Sequence, residues 1–176
     1  MKIPRISRVP ERLRKNKFLN LQEADNIMKI NIIYASWFGN GKKVVEELAE
    51  ILIEKKQDVK LFSIMEKVND KIPEADLYIF SSPTRKFSLP ANMKKFITGF
   101  IPPKSQASYT LMTTYMDPRT IALKKMESIL NSKGMQKTAD DFKVKTLGLK
   151  GPLENGYTEK LRAFAEEIIT RFYSMV

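Results

Sequence analysis

Met28-Lys29-Ile30-Asn31-Ile32-Ile33-Tyr34-Ala35-Ser36-Trp37-Phe38-Gly39-Asn40-Gly41-Lys42 is the stretch on which the fold turns. Its first half, residues 28–35, is apolar and β-branched, as a buried strand should be. The run then breaks into a Ser/Gly/Asn loop, and Lys42 opens a segment with helical periodicity. A loop entering a helix N-terminus aims unpaired backbone N–H groups at one spot, where the helix dipole adds partial positive charge. A phosphate is the natural occupant. Lys42 and Lys43 fall in the first helical turn, where the dipole disfavours cations, and a nearby anion would account for them. A tight turn with a solvated lysine pair is the plainer alternative.

Outward from this stretch, strands and helices alternate. Residues 42–56 place Val45, Leu48, Ala49 and Leu52 on one helical face, with Glu46, Glu47, Glu50 and Glu54 elsewhere. Residues 59–62 read as a short strand, and Ser63-Ile64-Met65-Glu66 has the spacing of a capping box, which predicts a short helix. A third strand spans 77–82. Leu89-Pro90 opens a helix striped by Met93, Phe96, Ile97 and Phe100, with proline suited to the first turn. A fourth strand is expected over 107–114. Asp117-Pro118 predicts an N-cap followed by proline, for a helix that buries Leu123, Met126, Ile129 and Leu130 and stops near Gly134. Residues 142–149 predict a fifth strand, and 158–173 a last helix. Such alternation implies an α/β fold with right-handed βαβ crossovers and a mostly parallel sheet. Ligands of such sheets collect beyond the C-terminal strand ends, where the strand order reverses.

The 176 residues, 43% hydrophobic and 29% charged, suit one soluble globular domain with a sizeable core. No apolar run approaches the ~18 residues needed to span a bilayer. The basic, proline-containing N-terminus lacks a signal peptide's apolar core, so a cytoplasmic location is expected. Cysteine and histidine are absent. That excludes disulfides, a thiolate nucleophile, a Cys/His zinc site and a histidine general base. Chemistry falls to carboxylates, hydroxyls, Lys, Arg, Tyr or a cofactor with its own reactivity. The net charge of +11, from 31 Lys+Arg against 20 Asp+Glu, favours anionic partners. Residues 1–27 hold seven basic and three acidic side chains, with Pro4 and Pro10, and no sustained period. They read as a basic extension preceding a domain over 28–176.

Three polar loops leave the C-terminal strand ends. The first, Ser36-Trp37-Phe38-Gly39-Asn40-Gly41, offers a hydroxyl, backbone N–H groups and close approach at two glycines. The second, Ser81-Ser82-Pro83-Thr84-Arg85-Lys86-Phe87-Ser88, combines hydroxyls, a rigid proline and an aromatic; Phe87 tucked into the core is its bland reading. The third, Thr113-Thr114-Tyr115-Met116-Asp117, sets Tyr115 where an aromatic could cover a planar ring, with Asp117 read as a helix cap.

Together these loops resemble the flavodoxin-like family, from residue 28 to the C-terminus. The Ser-x-x-Gly-Asn pattern of Ser36, Gly39 and Asn40 is similar to that family's FMN phosphate loop. Ser81-Ser82-Pro83-Thr84-Arg85 is similar to its second flavin-contacting loop, and Gly151-Pro152-Leu153 to the stretch before its last helix. The resemblance implies a three-layer, doubly wound five-stranded parallel sheet in the order 2-1-3-4-5. The switch-point rule counts flavodoxin among its own instances, so its agreement is not independent support. The resemblance also implies that Ser36, Gly39, Asn40 and Gly41 hold the FMN phosphate. Ser82, Pro83, Thr84, Arg85, Lys86 and Phe87 would line the isoalloxazine, with Thr114 and Tyr115 closing its other side. Trp37 and Phe38 stand where hydroxyls are usual; they either stack on the flavin or anchor the loop from beneath.

The function implied is an FMN-binding electron-transfer protein or small flavin-dependent oxidoreductase, with a redox partner protein and with NAD(P)H as a conceivable donor. A basic carrier calls for an acidic partner. The alternative is a flavin-free scaffold whose basic surface binds an acidic protein or nucleic acid. No helix-turn-helix or RNA-recognition pattern favours nucleic acid.

Overall fold

The computed structural model describes residues 27–66 and 72–175. The expected N-terminal extension therefore lies outside the described residues, save Ile27. The elements run β1 (Lys29–Tyr34), α1 (Asn40–Glu54), β2 (Asp58–Ser63), β3 (Leu77–Pro83), α2 (Ala91–Gly99), β4 (Ser108–Tyr115), α3 (Ala122–Ser132), β5 (Gln136–Lys137), β6 (Phe142–Lys145) and α4 (Tyr157–Met175). All strand pairs are parallel, in the order β2-β1-β3-β4-β5, with β6 also against β4. The fifth position of the sheet is thus shared by β5 and β6, and the expected 2-1-3-4-5 order is the one observed.

Two apolar layers follow from the alternation of side chains along the strands. Ile30, Ile32, Leu77 and Ile79 face one way, packing with Val45, Leu48 and Leu52 of α1 and Leu161, Phe164 and Ile168 of α4. Ile33, Tyr78, Phe80 and Tyr109 face the other way, against Met93 and Ile97 of α2 and Leu123, Met126 and Leu130 of α3. Central strands covered on both faces need near-continuous apolar sequence, which is what residues 28–35 and 77–80 supply. Phe100, just past α2, meets Tyr78 and Phe80 edge-on at ring-centroid distances of 5.5 and 5.4 Å.

Four local expectations are corrected. The first helix begins two residues early, so Asn40 and Gly41 belong to its first turn. The Ser63 capping box does not start a helix within the described residues: Ser63 Oγ accepts the Met65 N–H at 3.3 Å in a turn, and 67–71 lie outside the description. Asp117 does not cap α3. Its carboxylate accepts the Arg119 backbone N–H at 2.9 Å, a local bond that competes with helix formation. The helix begins instead at Ala122, whose N–H donates to Thr120 Oγ1 at 3.2 Å.

The fifth strand is interrupted and shorter than 142–149. Four residues, 138–141, stand opposite Thr110 and Leu111 of β4, between the Tyr109–Lys137 and Met112–Phe142 pairs. Lys137 bridges Glu127 and Asp141 there, at 3.2 and 2.8 Å. Beyond Lys145 the chain turns back, with the Gly151 N–H on the Gly148 carbonyl at 3.1 Å, a turn tight enough that a Cβ at Gly148 would lie 2.9 Å from the Gly151 carbonyl oxygen.

Phe80 is fully buried between the sheet and Phe100. Phe80→Ala should lower the unfolding free energy by about 3–5 kcal/mol, read as a shift of the urea midpoint with little change in slope.

Candidate functional site

The chain leaves β1 for β2 on one side and later reaches β3 on the other, so strand order reverses between β1 and β3. At the C-terminal ends of these strands lies a cavity of about 700 Å³. Its walls come from the segments after β1, β3, β4 and β6.

The first wall is the turn into α1. Gly39 is the N-cap residue with φ +89°, a left-handed conformation that costs glycine nothing. No side chain caps this helix and no acidic residue sits in its first turn. Its leading N–H groups therefore open toward the cavity, which Ser36, Asn40 and Gly41 line. A Cβ on Gly41 would lie 3.2 Å from the Ala35 carbonyl oxygen, a tight contact that a side chain here would have to relieve by a small shift. The Asn40 side chain is engaged: its amide donates to the Leu149 carbonyl at 2.9 Å. Lys42 and Lys43 point elsewhere, Lys42 toward Glu46 at 3.7 Å and Lys43 over the Tyr157 ring at 5.8 Å. The Tyr157 hydroxyl donates to Glu47 at 2.6 Å, and burial, then this bond, raises its pKa.

The second wall is a hairpin. Arg85 and Ser88 exchange two backbone hydrogen bonds of 2.9 and 3.0 Å around Lys86 and Phe87, whose φ values are +48° and +62°. This two-residue loop with both φ positive ordinarily selects Asn-Gly; a bulky aromatic there is strained. Surrounding contacts hold it in place. The Phe87 carbonyl accepts the Ile121 N–H at 2.9 Å, and Lys125 donates to Ser88 Oγ at 2.7 Å. The Arg119 guanidinium lies 5.0 Å from the Phe87 ring centroid. Arg119 in turn grips Asp117 through a two-pronged contact of 2.9 and 2.6 Å. That side-chain bond, seconded by the backbone N–H, pulls the Asp117 pKa down to about 2.

Pro83, Thr84, Arg85, Lys86, Phe87, Thr114 and Tyr115 line the cavity, as do Trp37 and Phe38. Gly39 and Ser82 do not. Gly39 shapes the turn, and Ser82 is buried with its hydroxyl on the Pro83 carbonyl at 2.9 Å. Trp37 and Phe38 are 40% and 52% exposed, so neither anchors the loop from beneath; Phe87, 51% exposed, is not tucked into the core.

No protein-family model matches the chain, and no curated protein matches it by sequence. Solved structures do. The chain is similar to oxidised flavodoxin 1 from Bacillus cereus, with a TM-score of 0.66 and 19% identity over 81% of this chain and 97% of that one. It is also similar to a flavodoxin from the domain Archaea, with TM-score 0.66 and 18% identity over 83% and 99%. Rubredoxin oxygen:oxidoreductase from Desulfovibrio gigas matches at TM-score 0.63 and 19% identity, covering 93% of this chain but 41% of that one. The fold is that of the flavodoxins.

Within this flavodoxin-like fold, Met116, Asp117, Thr146 and Leu149 also line the cavity, although the sequence did not mark them for it. Thr146 and Leu149 fell inside the expected fifth strand; the Gly148/Gly151 pair was the available sign of a turn. Asp117 carried a capping signal that points to a helix start as readily as to a cavity wall. No described helix is long and apolar enough to cross a membrane.

Two outcomes test this geometry. Asn40→Ala should speed amide exchange across 147–151, at a stability cost of about 0.5–1.5 kcal/mol for one lost hydrogen bond. Carbon-detected titration should place Asp117 near its value of about 2, moving toward the ordinary 3.8 in Arg119→Ala. Because that pKa is depressed, the pair's contribution is intact above the unfolded value and fades as pH falls toward 2.

Proposed function

We propose that this cavity binds FMN, and that the protein moves electrons through it as a carrier or as a small flavin-dependent oxidoreductase. The observation that carries the reading is convergence: an uncapped helix N-terminus and an aromatic-walled cavity of about 700 Å³ meet at the strand-order switch point. That size is within the range of cofactor pockets, roughly 300–1,000 Å³. The residues fit an elongated ligand with an anionic end and a flat apolar end.

The turn at Gly39, with the N–H groups of Asn40 and Gly41 and the Ser36 hydroxyl, holds the phosphate. This arrangement substitutes backbone donors for the hydroxyls missing at Trp37, Phe38 and Gly41. Trp37 and Phe38 flank the ring from the α1 side. Pro83, Thr84 and Phe87 form the facing wall, Thr114 and Tyr115 close the far side, and Ser82 supports the strand end beneath. Arg85 and Lys86 set positive charge beside the ring, which favours an electron-rich occupant. Bound FMN supplies the one- and two-electron chemistry; the chain orients it and limits water at its faces. No side chain need act as a nucleophile. A redox partner protein, NAD(P)H as a further donor and a cytoplasmic location belong to the same reading.

Purified protein should be yellow. Trp37 is the sole tryptophan and lines the cavity, so FMN titration should quench tryptophan and flavin emission together. Colourless protein with neither signal quenched at the flavin's solubility limit would sink the proposal. Gly39→Val places a β-branched residue at φ +89°. The strain, about 1–3 kcal/mol, should weaken FMN roughly 5- to 150-fold and riboflavin, which lacks the phosphate, much less.

A further inference from the structure

Seven of the thirteen large apolar side chains exposed among the described residues sit on four loops at one edge of the sheet, residues 36–39, 84–88, 116–121 and 146–151. Five of them line the cavity, and an occupant would cover their inner faces. Ile121 and Leu147, 44% and 61% exposed, lie outside the lining and stay open whatever the cavity holds. The same loops carry Arg85, Lys86, Arg119 and Lys150 against a single carboxylate, Asp117. Arg119 already engages that carboxylate at 2.6 Å, so the edge keeps an excess of positive charge around an apolar centre. An apolar patch ringed by charge of one sign is the build of a protein-docking face: desolvated aromatic anchors in the middle and steering charge at the rim.

The hairpin adds a third observation. Lys86 and Phe87 hold left-handed backbone conformations that neither residue favours, stabilised by the Arg85–Ser88 bonds, the Ile121 N–H and the Arg119 guanidinium. Strain held this firmly fixes a prong in advance of contact, which reduces the ordering cost of association. Membrane and nucleic acid fit less well. The apolar groups and cations sit on loop crests rather than on the opposite faces of an amphipathic helix, and on these loops the exposed large apolar side chains outnumber the cations, seven to four.

We propose that these four loop crests dock a partner protein that presents carboxylates around an apolar contact, with Phe87, Ile121 and Leu147 toward the contact centre and Arg85, Lys86, Arg119 and Lys150 as the basic rim. That the partner exchanges electrons rests on the FMN reading; the docking face rests on charge, exposure and the fixed hairpin. The complementary sign explains why a protein of net charge +11 would meet its partner quickly at low salt and lose it as salt rises.

The test uses the full chain, with and without added FMN, and two probes of similar size: a small acidic iron–sulfur electron carrier and a basic c-type cytochrome. Amide chemical shifts of the labelled chain report where each binds. The acidic carrier should shift residues 85–88, 119–121 and 147–150, with affinity falling about tenfold or more from roughly 20 to 200 mM salt, and the cytochrome should not bind. Lys150→Glu should weaken the acidic carrier about fivefold or more while leaving FMN quenching unchanged, since Lys150 does not line the cavity. Equal binding of both probes, shifts mapping to α2 or α3, or indifference to Lys150→Glu would overturn the proposal. So would a single-stranded oligonucleotide, or vesicles of anionic phospholipid, that bound these loops more tightly than the acidic carrier. Carrier binding without FMN quenching would refute the flavin reading and leave the docking face standing.

Discussion

The close seating of α1 on the end of β1 governs most of what surrounds the cavity. Gly41 allows that approach, since a Cβ there would press to 3.2 Å from the Ala35 carbonyl oxygen. Gly39, in its left-handed conformation, swings the chain from strand to helix, and the Lys43 N–H closes the first turn on the Gly39 carbonyl at 2.9 Å. Burial of Val45, Leu48 and Leu52 against the sheet then fixes the helix axis. Asn40 projects from this turn to the Leu149 carbonyl, so the turn after β1 also positions the wall after β6. A single backbone geometry thus sets two sides of the cavity.

The opposite wall is organised by different physics. The Arg85–Ser88 hairpin gains little from local propensity, because Lys86 and Phe87 resist positive φ. Tertiary contacts from the segment before α3 hold it: Ile121 bonds the Phe87 carbonyl, and Arg119, itself gripped by Asp117, covers the Phe87 ring. The residues that failed to start a helix at Asp117-Pro118 are therefore the ones that brace this hairpin. The turn at Asp117 that delays α3 to Ala122 leaves room for both roles.

Charge divides along the same lines. The lysines of the first turn of α1 are drawn away, Lys42 to Glu46 and Lys43 to the Tyr157 ring. The helix N-terminus consequently faces the cavity through backbone dipoles alone. The cations that line the cavity itself, Arg85 and Lys86, come from the hairpin, across from the helix.

The order of elements was legible because strands buried on both faces must be apolar throughout and amphipathic helices must repeat near 3.6 residues, as 28–35, 77–82 and 42–56 do. The three polar loops followed from where those runs stop, and the resemblance to flavodoxins followed from the loops. What failed was local. A capping pattern at Ser63 and another at Asp117 were satisfied by turns, because a short polar side chain bonds the nearest N–H whether or not a helix follows. The fifth strand was read four residues too long because alternation does not register a glycine pair that reverses the chain.

The sequence alone determined an α/β sheet with a polar, glycine-bearing turn at 36–41 between the first strand and its helix, since burial and periodicity are encoded residue by residue. Only the tertiary structure decided that Asn40 spends its amide on Leu149, that Ser82 is buried beneath the wall rather than in it, and that Phe87 stands outward on a strained hairpin. Asn40 bonds Leu149, the Ser82 carbonyl accepts the Thr113 hydroxyl at 2.8 Å and the Phe87 carbonyl accepts the Ile121 N–H, all partners distant in the chain, and such contacts leave no mark on local composition.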